Sequence, residues 1–185
     1  MSDFTITNPD FTATITNSVE LIATSFGSEE FKEIKKIRYD VFVVEQKCPE
    51  DEEWDEYDEK ATHYLLRVNG EAVGCARSRQ IYYPDYEGKL DTHVLKLERF
   101  AVPQNHRGKN HGGELVKRTI KQVYKETKDK NYPLYIINAQ QYVEKFYQKL
   151  GFETDQSIPI FYECEIPHVR MIITAATVSS QQQQQ

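Results

Sequence analysis

Apolar and polar positions divide the chain into short strands and amphipathic helices. Val19 to Phe26 reads as a first strand. Ser28 fits an N-cap, with Glu29 and Glu30 in the first turn, where the helix dipole favours negative charge. Phe31, Ile34, Ile37 or Arg38, and Val41 then mark one helix face. The β-branched run Val41 to Val44, leading into Glu45-Gln46, suits a helix interior less well and predicts its end. Cys48-Pro49 turns the chain. His63 to Val68 reads as a strand, Asn69-Gly70 as a two-residue hairpin turn, and Glu71 to Ile81 as the returning partner. Tyr82 to Leu90 is a polar loop.

Lys96 to Leu115 organises the rest. An apolar strand, Val94 to Val102, stops at Pro103, which has no N–H to donate to a ladder. The run Arg107-Gly108-Lys109-Asn110-His111-Gly112-Gly113 follows, and a helix from about Gly113 to Lys128 comes next. A strand, a glycine-rich turn and a helix aim backbone N–H groups at one point, where an anion, most often a phosphate, belongs. A nucleoside-triphosphate loop would need Lys-Ser or Lys-Thr where Gly112-Gly113-Glu114 stands. A dinucleotide fingerprint would start directly after the strand, but Pro103 to His106 intervene.

Pro133 to Ala139 is a short apolar strand, and Gln140 to Leu150 a helix with Gly151 at its C′ position. Phe152 starts another strand, and Ile160 to Thr174 is apolar and β-branched, broken by Pro167. Three parts are expected: a flexible arm over 1–18, one domain over 19–175, and a disordered Gln-rich tail over 176–185.

Composition narrows the class. With 39% hydrophobic residues the 185-residue chain can build one core, and no window is apolar enough to span a membrane. The first 17 residues lack the features of a targeting signal. The net charge of −6 argues against nucleic acid as a partner. Three cysteines without C-x-x-C spacing predict neither a disulfide scaffold nor a zinc site, and fit a reducing compartment. Glu50 to Glu59 holds eight acids and no base; without them the net charge would be +2. It reads as a solvated loop, or as a rim attracting a cationic substrate.

Several separate segments, in this order, resemble the ElaA/YjcF-like branch of the GNAT acetyltransferases. They are Arg38-x-x-Val41-Phe42-Val43-Val44-Glu45-Gln46, Leu97 to Val102, the loop Arg107 to Gly113, Ile137-Asn138-Ala139-Gln140, Phe146-Tyr147 with Gly151-Phe152, and Ile166-Pro167-His168-x-x-Met171. In the loop, Asn110 stands where that family's Arg-x-x-Gly-x-Gly has its first glycine; Asn is the non-glycine residue best able to adopt positive φ. The resemblance implies an α/β (α+β) fold: a mixed, strongly twisted sheet of six to seven strands, flanked by about four helices and splayed between its two central strands. It also implies acetyl transfer from acetyl-CoA to a primary amine, on a small molecule or a peptide. The alternative is a catalytically silent acyl-CoA-binding module or an interaction protein. No metal is expected. The chain is expected to be cytoplasmic, with the nucleus left open, and a monomer or homodimer.

Acetyl transfer needs an anchored cofactor, a neutral amine, a polarised thioester and a proton for the leaving thiolate. Anchoring falls to Arg107, Gly108, Lys109, Asn110, His111, Gly112 and Gly113, with the open backbone of Phe100, Ala101 and Val102, and with Asn138. Tyr147 is the candidate proton donor, at the thiol end of the cofactor; Phe146 beside it points elsewhere round the helix. His168, Glu98 and Glu45 compete as base, with Glu163 or Glu165 placed to orient His168. The Pro-His-x-x-Met arrangement also resembles that of glyphosate-type N-acetyltransferases, whose matching histidine is regarded as the base. The acceptor side is expected to involve Glu45, Gln46, His63, Arg99 and Gln140.

Overall fold

A computed structural model describes residues 18–83, 92–130 and 132–183. The chain begins with β1 (Val19–Thr24) and α1 (Glu29–Arg38), which has Ser28 as N-cap; its Oγ accepts the Phe31 N–H at 3.0 Å. The helix ends within the expected stretch, at Glu45, but its winding changes after Arg38. It continues as a π-helical turn, Tyr39–Glu45, closed by the Gln46 N–H on the Val41 carbonyl at 3.0 Å. Propensity costs only tenths of a kcal/mol per residue, and burial of Val41 and Arg38 outweighs it.

A short α2 (Glu50–Glu53) leads to the hairpin of β2 (Thr62–Val68) and β3 (Glu71–Tyr83). Its turn residues Asn69 and Gly70 have φ of 52° and 81°, the left-handed pair such a hairpin needs. Then come β4 (Thr92–Ala101), α3 (His111–Thr127), β5 (Leu134–Gln140), α4 (Glu144–Gln148), β6 (Glu153–Thr154), β7 (Phe161–Glu163), β8 (Ile166–Thr174) and α5 (Ala175–Gln183). The expected break at Pro167 lies inside β8, where Pro167 pairs with Tyr162 of the short β7. Most of the loop expected over Tyr82–Leu90, and the arm except Ser18, lie outside the described residues.

The sheet has eight strands among the described residues, one more than expected, in the order β1-β2-β3-β4-β5-β8-β6 with β7 on β8. All neighbours are antiparallel except β4 and β5. Those two pair only at Leu95↔Tyr135 and Lys96↔Ile136, then part. Strand alternation splits the core between the two faces. Tyr64 and Leu66 join Leu115, Val116, Ile120 and Val123 of α3, while Leu65 joins Phe31, Ile34 and Ile37 of α1. The tail is not disordered over 176–183. Val178, 1% exposed, packs into the α3-side core, and Thr174 Oγ1 accepts the Thr177 N–H at 3.1 Å as a cap. No helix among the described residues is long and apolar enough to cross a membrane.

Two further expectations are corrected. The acidic segment is solvated only in part: Glu50, Asp51, Glu52, Glu56 and Glu59 are exposed, but Glu53, Asp55 and Asp58 are drawn inward. Glu53 and Asp58 are each 3% exposed. Arg38 holds Glu53 at 2.5 Å and Asp58 at 2.6 Å; Arg77 holds Asp58 at 2.7 Å and Asp55 at 2.6 Å. Long-range pairing with buried arginines, invisible in a local charge run, sets these acids inside. The cysteines, too, are not all free. Cys48 and Cys164, 116 residues apart, form a disulfide with Cα atoms 5.3 Å apart, leaving Cys75 as a buried thiol.

Candidate active site

Where β4 and β5 part, a cavity of about 660 Å³ opens between the sheet halves. The end of β4, the loop before α3, the end of β5, α4, the β7–β8 hairpin and the π turn line it.

At one end sits the start of α3. Asn110 adopts φ 62° and ψ 13°, and Gly108 φ 77°, so Asn110 supplies the left-handed turn that a glycine supplies elsewhere. No side chain among the described residues caps this helix, so its first N–H groups stay available to an anion. A Cβ on Gly113 would lie 2.6 Å from Asn110 Oδ1, whereas one on Gly112 would meet only Phe146, at 3.6 Å. The close approach is therefore Gly113's, and Gly112 has no positive φ to protect. His111 lines the cavity with a buried Nδ1 that has no hydrogen-bond partner among the described residues. Lys109 does not line the cavity; its Nζ is exposed, 3.4 Å from the Asn105 carbonyl.

Arg107 and Glu45 correct each other. They form a bidentate pair at 2.6 and 2.7 Å, and Arg107 Nε donates to the Val102 carbonyl at 2.9 Å. Arg107 thus ties the loop to the π turn, and Glu45 is a counter-ion on the surface rather than a base.

In the middle, β4 carries one extra residue against β3 between the pairs Arg77↔Glu98 and Cys75↔Ala101. Arg99 there takes φ 56°, a conformation that costs about 1–2 kcal/mol outside glycine. Its side chain is turned to Glu53 Oε2 (3.0 Å) and Asp55 Oδ2 (3.4 Å). The backbone of Phe100, Ala101 and Val102 borders the cavity with no β5 partner opposite.

Glu98 faces the cavity beside Lys96 but is not shaped as a base. Burial would raise its carboxyl, yet Lys96 (2.9 Å), Arg77 (2.8 Å) and Arg79 (2.6 Å) outweigh burial and hold it at about 2. His63 is fully buried away from the cavity, with Nε2 2.8 Å from the Asp58 carbonyl and its pKa lowered by burial. It supports the turn beneath the acidic segment.

At the other end, His168 lines the cavity with Nδ1 2.8 Å from the Ile166 carbonyl. A carbonyl accepts only, so Nδ1 carries the hydrogen and Nε2 is left with its lone pair. Of Glu163 and Glu165, the fold brings Glu163 to the ring, with Oε2 3.8 Å from Nε2. Asn138 is not a free anchor: Nδ2 donates to Glu163 at 2.6 Å and Oδ1 accepts from Arg170 at 2.9 Å. Asn138 instead positions Glu163. Tyr147 is buried against Phe100, Phe146 and Phe152, and its hydroxyl has no hydrogen bond among the described residues. Burial pushes its pKa above the ordinary value, so the phenol keeps its proton at neutral pH.

Gln46 and Gln140 meet across the cleft at 2.9 Å, and Tyr142 donates to Gln140 Oε1 at 2.5 Å. Phe42, Lys96, Cys48 and Cys164 also border the cavity, though the sequence reading left them out. Strand alternation between Lys96 and Glu98 could have revealed the lysine; nothing local could have joined the two cysteines.

The Acetyltransferase (GNAT) family matches residues 29–152. The Bacillus subtilis protein described as "Uncharacterized N-acetyltransferase YjcF" is 32% identical over 146 residues, covering 79% of this chain and 94% of its own. The UPF0039 protein C11D3.02c of Schizosaccharomyces pombe is 30% identical over 162 residues, covering 84% and 97%. The crystal structure of Escherichia coli ElaA aligns with a TM-score of 0.66 and 26% identity, over 83% of this chain and 98% of that one. By these matches, and by the sheet split beside its glycine-rich loop, the chain belongs to the GNAT acetyltransferase family, in its ElaA/YjcF-like branch.

Proposed function

We propose that the chain transfers the acetyl group of acetyl-CoA to a primary amine by direct attack, with both substrates bound together. The observation that carries this reading is one cleft with two chemically different ends. An uncapped helix N-terminus suited to a pyrophosphate lies at one end, and a histidine with a free ring nitrogen at the other.

The N–H groups that open α3 receive the pyrophosphate, and the unpaired edge of β4 at Phe100–Val102 receives the pantetheine amides and the thioester oxygen. His168 Nε2 takes the proton from the ammonium, its lone pair left open because Nδ1 donates to the Ile166 carbonyl. Glu163 stabilises the imidazolium so formed, and Asn138 keeps Glu163 in place. The neutral amine attacks the carbonyl carbon, the C–S bond breaks, the Tyr147 hydroxyl gives its proton to the sulfur, and the second proton leaving the nitrogen restores that hydroxyl. Each substrate thus meets a group able to do the required work, which favours an enzyme over a silent acyl-CoA-binding module.

The test is thiol release from acetyl-CoA across a panel of primary amines, beside calorimetry with acetyl-CoA alone. Saturable turnover with at least one amine is expected. Acetyl-CoA binding without turnover would instead identify a silent module, and no binding an interaction protein.

A further inference from the structure

The two walls of the cleft belong to different halves of the sheet. One carries α1, the π turn and the segment 46–54; the other carries β5 and the β7–β8 hairpin. Backbone pairing between the halves stops at Lys96↔Ile136. Past that point the Cys48–Cys164 disulfide crosses from one wall to the other, and both residues border the cavity. Cys164 is the first residue of the two-residue turn joining β7 and β8, where it and Glu165 have φ of 47° and 61°. Glu163 precedes it directly, and His168 lies on the strand that follows. The bond therefore anchors the hairpin that carries the proposed proton acceptor and its partner.

Resting on the acetyl-transfer reading, we propose that the Cys48–Cys164 bond is a reversible redox closure of the acceptor end of this cleft. The oxidised chain clamps the β7–β8 hairpin and narrows the amine entrance, and the reduced chain widens it. The acetyl-CoA end, built by α3 and its loop, contains neither cysteine and keeps its shape in both states.

Cys164 is partly exposed and Cys48 is buried, so an external dithiol reaches Cys164 first. Its thiolate attacks Cys164 Sγ, the S–S bond breaks, and Cys48 leaves as thiolate and takes up a proton. The second thiol of the reductant attacks the mixed disulfide, frees Cys164 and closes the reductant's own disulfide. Two electrons and two protons pass to the protein, and an oxidised dithiol reverses the step. Cys75 stays outside this exchange, because complete burial pushes its thiol up to about 12 and removes it from solvent. Gln46 and Gln140 also meet across the cleft, in a single hydrogen bond that an entering polar group can replace.

The full chain is prepared oxidised and reduced, and the reductant is then removed. Thiol counting should give one thiol and three, respectively, from the three cysteines. Amide hydrogen exchange of residues 161–168 should be faster in the reduced chain, and fast in Cys48→Ser and Cys164→Ser regardless of reductant. With any amine of the panel that turns over, reduction should raise kcat/KM about tenfold, mainly through KM, as for an oxidised chain in which about one tenth is competent. The acetyl-CoA dissociation constant should not move. Equal exchange and equal amine KM in both states would overturn the closure. So would three thiols persisting after treatment with an oxidised dithiol. Cys48, Glu52 and Cys164 also place ligand atoms within 4.8 Å of one another, so a reductant effect abolished by a chelator would assign it to a bound cation and overturn the closure too. If no amine turns over in either state, the acetyl-transfer reading fails alone, and hydrogen exchange still decides the closure.

Discussion

The imidazole of His168 is tied to the Ile166 carbonyl two residues before it, with Nδ1 2.8 Å from the oxygen. The tautomer is thus set by the backbone of its own strand, and the nitrogen left with a lone pair is the one nearer Glu163. His168→Gln should lower kcat/KM by roughly 10²-fold or more. Acetyl-CoA affinity should hold. A variant that keeps the parent's kcat/KM would move the base elsewhere, to a water held by the Glu163 carboxylate.

Tyr147→Phe preserves the contacts with Phe100, Phe146 and Phe152 and removes only the hydroxyl. The expected result is a fall in kcat of about 10²–10⁴-fold, with little change in stability or acetyl-CoA affinity. Single-turnover kinetics is the suitable measurement, because slow product release would mask the effect on chemistry.

The loop makes a prediction that depends on a pair. Gly113→Ala would bring a methyl group 2.6 Å from Asn110 Oδ1. It should weaken acetyl-CoA binding by about tenfold, equivalent to ~1.4 kcal/mol. Adding Asn110→Gly removes the obstructing amide and keeps the left-handed turn, so the double variant should recover most of the affinity. Gly112→Ala should be nearly silent. Calorimetric titration of the three variants separates these outcomes, and a double variant as weak as Gly113→Ala would contradict the geometry.

Stability should fall in acid, in two windows. Asp58 and Glu98 are each pulled upward by burial but held at about 2 by their arginine and lysine partners. Their folded values lie below the ordinary 3.8 and 4.5, so their stabilisation is present above pH 4.5 and lost as pH falls from there towards 2. His63, lowered by burial, adds stability above its ordinary 6.5 that starts to disappear as pH drops below that value. Urea midpoints measured from pH 8 to pH 3 should decline across both windows, and His63→Phe should flatten the upper one.

Arg77 touches Asp55, Asp58 and Glu98. Arg77→Met should destabilise the fold by about 3 kcal/mol, since it takes away one of the cations that Asp55, Asp58 and Glu98 share with Arg38, Arg79, Lys96 and Arg99. Denaturant unfolding checks this; a loss under 1 kcal/mol would mean that water takes the arginine's place.

What could be read from the sequence was what the chain settles locally. The Ser28 cap, the Asn69-Gly70 turn and the left-handed Asn110 each depend on residues within a few positions, and each is present. The split between β4 and β5 came through family resemblance, which carries long-range information that periodicity lacks. Features set by distant partners were lost. The acids at 53, 55 and 58 looked solvated because Arg38, Arg77 and Arg99 meet them only in three dimensions. Arg107 and Glu45, each given its own task, turn out to neutralise one another across 62 residues. The glutamine run hid a helix because its anchor is one buried residue, Val178, against a core that composition does not reveal.

The two-residue seam between β4 and β5 has a consequence for folding as well as for chemistry. The halves of the sheet are joined there by so few ladder bonds that a guest lying along Phe100–Val102 stands where a missing strand would be. Its amides would complete a hydrogen-bond row that the polypeptide leaves unfinished. Such a guest becomes part of the architecture, and saturation at a hundredfold excess over its dissociation constant adds about 2.7 kcal/mol to stability. The amount of folded chain should then follow the supply of that guest, making the fold itself a gauge of it.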